Sequence, residues 1–134
     1  MNISVTLRND CLSALATRLD GGSGAAKAKF YTGTPPATPA TTATGTPIAT
    51  LTFSDPALGS VSNGSVSANG ITSGIASNSG QVGYVRLEDS AGVGIADLTV
   101  TESGGGGDII INDNDVIAGA TVAISSLTFT MPQS

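Results

Sequence analysis

Apolar positions follow two different periods along the chain. From Ser4 to Leu19 they recur every four residues, at Leu7, Cys11, Leu15 and Leu19, with Ala14 beside them. That spacing predicts one amphipathic helix. Asp20-Gly21-Gly22 ends it, because glycine after the last turn takes the backbone conformation that stops a helix. Cys11 falls on the predicted stripe and reads as a small buried core residue, not a reactive thiol.

Beyond the helix the period becomes two. In "AAKAKFYTG", Ala26, Ala28 and Phe30 alternate with Lys27, Lys29 and Tyr31, which predicts a strand with one core face and one wet face. In "PIATLTFSDP", Ala49, Leu51 and Phe53 share a side. "GSVSANGI" is a weaker strand. "GQVGYVRLEDSAGVGIADLTV" predicts a hairpin, Val82 to Glu88 pairing with Gly94 to Val100 around "DSAG". "DIII" is a short apolar run. In "GATVAISSLTFTMP", Val122 and Ile124 share one parity while Leu127, Phe129 and Met131 have the other. The change at Ser125-Ser126 predicts a bulge. Asn63-Gly64 and Asn69-Gly70 supply turn residues that tolerate positive φ. "GGGG", Gly104 to Gly107, predicts a flexible loop able to pass close to another backbone. No helix follows it, so it is not a nucleotide-binding loop.

Seven or eight short strands spaced by turns, with one helix before them, predict a mainly β fold: a single-domain antiparallel β-sandwich, jelly-roll-like, with one N-terminal α-helix. The 134 residues suit one domain. A boundary at the Thr/Pro-rich tract would leave too short a piece before it to hold a core. That tract, residues 32–47, is therefore read as an extended arm or loop within one fold. Tyr31 to Pro47 holds seven threonines, four prolines and no charge. Prolines keep a chain extended and lower the entropy lost on docking, so Thr34, Pro35, Pro36 and Pro39 are the candidate interaction residues. A mobile loop and a glycosylated stalk are the other readings.

Charge is sparse, at 11% of the chain, against roughly 25% in an ordinary soluble domain. Between Phe30 and Val85 the only charged residue is Asp55, and from Val116 to Ser134 there is none. No stretch approaches the roughly 20 apolar residues of a membrane span, and the N-terminus lacks the pattern of a signal peptide. Such an uncharged surface of Ser, Thr, Gly, Ala and Asn suits lasting contact with another protein. The net charge of −5, without clustered Lys and Arg, offers nothing to nucleic acid. The single cysteine excludes an internal disulfide and fits a reducing cytoplasm.

Candidate chemistry is thin. There is no histidine, which removes the commonest general base and metal ligand. Glu88, Asp89, Asp97 and Glu102 cluster around the hairpin, and a glycosidase needs only two carboxylates. There is no tryptophan to stack a sugar, so they are read as a solvated edge. Asp108, Asn112, Asp113, Asn114 and Asp115 offer oxygen ligands to calcium. Their spacing fits neither an EF-hand nor a calcium β-roll repeat, and they are read as an Asx-rich turn. No catalytic residue, metal or cofactor is assigned.

The order of the pieces resembles a known group. "AKAKFYTGTPPAT", the "YVRLEDSAG" hairpin and "VIAGATV" look like small virion structural proteins of tailed bacteriophages, some of them similar to capsid cement or decoration proteins. The likeness spans nearly the whole chain and rests on fold signatures. It implies a non-enzymatic protein made in the bacterial cytoplasm and carried on the capsid exterior. Its partners would be the major capsid protein and itself, as a homodimer or homotrimer, bridging neighbouring capsomers. On that reading, deleting Thr38 to Thr46 leaves a folded protein that binds capsids more weakly. The alternative is a tail- or fibre-associated carbohydrate- or receptor-binding module, with or without calcium. A small glycosidase using Glu88 or Asp97 is a third, weaker reading.

Overall fold

The structure, a computed structural model, describes residues 1–102, 104–105 and 108–133. Helix α1 spans Val5–Leu19, with Ser4 as N-cap accepting the Leu7 amide. The buried face overlaps the predicted one at Leu15 and Leu19 but is turned toward Leu12 and away from Leu7 and Ala14. Leu12 and Leu19 are buried and Leu15 and Ala16 pack against the core, while Leu7 is 47% exposed and Cys11 only half-buried. Both faces of this helix carry apolar residues, so periodicity alone could not choose between them.

The remaining elements are strands, and the protein is mainly β with one N-terminal helix. They are β1 (Lys27–Thr32), β2 (Pro47–Phe53), β3 (Ser65–Ser67), β4 (Ile71–Thr72), β5 (Gly74–Ile75), β6 (Gly80–Glu88), β7 (Gly94–Glu102), β8 (Ile109–Ile111), β9 (Asp115–Val116), β10 (Thr121–Val122) and β11 (Ile124–Thr130). Among the described residues, nine strands form one mixed sheet in the order β3-β11-β8-β7-β6-β1-β2-β4, with β9 also on β6, and β10 pairs with β5. The expected antiparallel pattern holds at every pairing but one: β8 lies parallel to β7.

The two ends of this sheet, β3 and β4, are neighbours in sequence. The short link between them bonds in both directions: Ala68 donates to the Leu127 carbonyl, and Ser54 donates to that of Gly70. A sheet whose opposite edges share one stretch of chain must curl, and this curl encloses the core. Phe30, Leu51, Val85, Leu87, Ile109 and Ile111 are almost wholly buried inside it. Each such side chain contributes about 1.5–3 kcal/mol relative to exposure.

The predicted local features hold in most places. Ala26, Ala28 and Phe30 face inward, as do Ala49, Leu51 and Phe53. The hairpin pairs Tyr84 with Thr99 and Glu88 with Gly94. The register of β11 shifts between Ile124 and Ser126, where the bulge was predicted. Asn63 and Gly64 both take positive φ and close a two-residue hairpin between Ser62 and Ser65. Helix α1 is tied to this turn, since Asn9 Oδ1 accepts the Gly64 amide at 2.8 Å and Arg8 Nε donates to the Met131 carbonyl at 2.7 Å. Asn69-Gly70 turns without positive φ; the Asn69 side-chain amide instead donates to the Pro56 and Leu58 carbonyls. The predicted glycine loop falls partly on Gly106 and Gly107, which lie outside the described residues.

Candidate functional site

Alternation along β1 and β6 places Lys29, Tyr31, Tyr84, Arg86 and Glu88 on the outer face of the sheet, opposite Phe30, Val85 and Leu87. An outer face of an antiparallel sheet is ordinarily wet. Here Tyr84, Arg86 and Glu88 are buried, and the Thr/Pro-rich segment between β1 and β2 lies over Tyr84 and Arg86.

That segment is not an extended arm but a closed loop. At its base, Thr32 donates its amide to the Thr46 carbonyl at 3.1 Å, and Thr46 donates back to Thr32 Oγ1 at 2.9 Å. Higher up, Tyr84 Oη donates to the Thr44 carbonyl at 2.7 Å and accepts the Thr44 amide at 3.0 Å. Arg86 Nη1 donates to the Thr41 carbonyl, and Thr44 Oγ1 reaches back to the Thr34 carbonyl at 3.0 Å. The physical cause is satisfaction of buried polar groups: Arg86 and Tyr84 need acceptors, and loop carbonyls supply them. Glycine makes the approach possible. A methyl group on Gly83 would overlap the Gly33 carbonyl, and one on Gly94 the Pro39 carbonyl.

The candidate interaction residues divide accordingly. Thr34 and Pro35 are exposed on the loop, whereas Pro36 and Pro39 are half-buried, with the Pro39 carbonyl turned against Gly94.

Beneath the loop is a charge network. Arg86 holds Asp97 of β7 through two bonds, Nε to Oδ1 at 2.7 Å and Nη2 to Oδ2 at 2.9 Å. Both side chains are more than nine-tenths buried. Those bonds keep the guanidinium even more firmly protonated than usual, against the opposing effect of burial. Lys29 Nζ lies 2.9 Å from Glu88 Oε2. Tyr31 stacks on Tyr84 with ring centroids 5.3 Å apart and planes 16° from parallel. Burial pushes the Tyr31 phenol up, and Lys29 partly offsets this. Between loop and sheet runs a cleft of about 460 Å³ lined by Tyr31, Thr41, Thr42, Arg86, Glu88 and Gly94, among others.

Each of the four hairpin carboxylates has a partner of its own. Glu88 goes to Lys29 and Asp97 to Arg86. Asp89 Oδ1 accepts the Ala91 and Val93 amides, and Glu102 Oε1 accepts that of Asn114. The acidic turn is likewise occupied with backbone. Asp108 Oδ2 accepts the amide and hydroxyl of Thr99, Asn112 Oδ1 accepts the Ala123 amide, and Asp113 Oδ1 accepts that of Asp115. Among the described residues no group of three or more His, Cys, Asp and Glu is placed to hold a metal ion, and no helix is long and apolar enough to cross a membrane.

Arg86, Tyr84 and Tyr31 are not among the candidate residues that the sequence suggests. A signal existed: Arg86 is the only Lys or Arg after Lys29, and it shares strand parity with Tyr84 and Glu88. No protein-family model, no curated protein and no solved structure matches the chain.

Proposed function

We propose that the protein is a non-enzymatic structural component of a tailed-phage virion, a cement or decoration protein on the capsid exterior. It binds the major capsid protein and, as a homodimer or homotrimer, bridges neighbouring capsomers. The supporting observation is the latched loop. Residues 33–46 carry no charge and are held by Arg86 and Tyr84 at Thr41 and Thr44. A surface already fixed in shape loses little entropy on docking, and one without charges strands none at the seam. The likeness of "YTGTPP", the "YVRLEDSAG" hairpin and "VIAGATV" to small virion proteins points to the capsid as partner. Modest contacts suffice there, because repetition over a shell multiplies them.

The contact surface on this reading is the outer side of the loop, at Thr34, Pro35 and Ala37, all exposed. The experiment places charge on it. A Thr34→Glu, Ala37→Glu variant keeps the wild-type melting temperature, and its occupancy on phage heads stripped of the native protein falls at least about tenfold. Wild-type occupancy by this variant overturns the loop as the contact. Absence of the native chain from purified heads overturns the function.

A further inference from the structure

We infer that the cleft between the Thr/Pro-rich loop and the outer face of β1, β6 and β7 binds an uncharged saccharide of one or two rings. This goes beyond the capsid reading and does not depend on it.

The cleft's volume of about 460 Å³ falls within the range of small-molecule sites, roughly 300–1,000 Å³. Its lining charges cancel: Arg86 stands against Glu88, and each is paired behind the wall, with Asp97 and Lys29, so neither an anion nor a cation is drawn in. A hard metal ion needs several free oxygens, and Arg86 already occupies both of Asp97's. What remains unused is hydrogen-bonding capacity. The Tyr31 hydroxyl makes no hydrogen bond among the described residues, and the Glu88 carboxylate has no partner among them besides Lys29. No buried polar side-chain atom among the described residues lacks a partner, so these unused groups are open to solvent. Both residues line the cleft.

A sugar matches this set. Its hydroxyls donate to a carboxylate and accept from a phenol. Its C–H faces pack on aromatic rings, and Tyr31 is braced by its stack on Tyr84. The latched loop keeps the opposite wall in place, so binding requires little reorganisation.

The test is an amide chemical-shift titration of the full chain. The probes are glucose, galactose, N-acetylglucosamine, maltose, lactose and chitobiose, each to about 50 mM. At least one is expected to give saturable shifts at Tyr31, Thr41, Glu88 and Gly94, with a dissociation constant on the order of 1 mM. Glu88→Gln, which removes the charged acceptor, weakens that binding about tenfold. Should Glu88→Gln unfold, Tyr31→Phe removes only the open hydroxyl and carries the same comparison with a severalfold loss. The inference is overturned if none of the six sugars gives saturable shifts, if the shifts map away from the cleft, or if the folded variants bind as wild type does. Capsid occupancy is measured separately, so either reading can fail without the other.

Discussion

Arg86 and Asp97 face each other across β6 and β7 as a two-bond ion pair, with side chains 4% and 7% exposed. A pair this deep is strongly destabilising to break and far less so to replace, because removing one partner leaves a buried charge. Asp97→Asn is expected to cost about 3 kcal/mol, while an Arg86→Met, Asp97→Leu double variant costs clearly less than the sum of its single changes. Urea unfolding of wild type, Arg86→Met, Asp97→Leu and the double variant measures the cycle, with Asp97→Asn run beside it. Additive single changes would show that the two side chains do not act together.

Tyr84 and Thr44 make the second latch. Tyr84→Phe keeps the ring and its stack on Tyr31 but deletes both loop bonds. The expected loss is about 1 kcal/mol, and it is local. Hydrogen exchange at the Thr44 amide rises, while Val85 and Leu87 in the core of β6 keep their protection. Uniform loss of protection would mean the loop and the core unfold as one unit.

The helix gives a sharp contrast. Leu12 is 3% exposed and Leu7 47%. Leu12→Ala is expected to cost about 2–5 kcal/mol, whereas Leu7→Ala stays within about 0.5 kcal/mol for the isolated protein. Thermal melting of the two variants tests whether the buried side turns toward Leu12, as observed, or toward Leu7, as spacing alone predicts.

Tyr31 sets a pH dependence at the alkaline end. Its folded pKa is raised above the ordinary value of 10.0, chiefly by burial. Above that ordinary value the unfolded chain gives up this proton before the folded one does. The stabilisation is therefore complete below the unfolded pKa and is lost as pH rises through the folded one. A ¹³C titration of the tyrosine ring carbons should place the Tyr31 transition above that of a denatured reference. A transition at or below the reference would contradict the burial argument.

Much of the fold was legible in the sequence because it depends on local rules. Period-two alternation fixed the inward sides of β1 and β2, the "DSAG" turn marked the β6–β7 hairpin, and the parity change at Ser125-Ser126 marked the bulge. Ser4 and Asp20-Gly21 bounded the helix to within a residue. These features follow from each residue's own neighbours in the chain.

Tertiary structure decided the rest, because the deciding partners are distant in sequence. The helix carries apolar residues on both sides, and contacts distant in sequence, among them those to the Asn63-Gly64 turn and the Met131 carbonyl, hold one side against the core. The parallel pairing of β8 on β7 has no marker in "DIII". The Thr/Pro tract has the composition of a projecting arm, yet it lies down on the sheet. Composition cannot report that Arg86, 45 residues from Thr41, is buried on a face where a loop carbonyl completes the bonding that Asp97 begins.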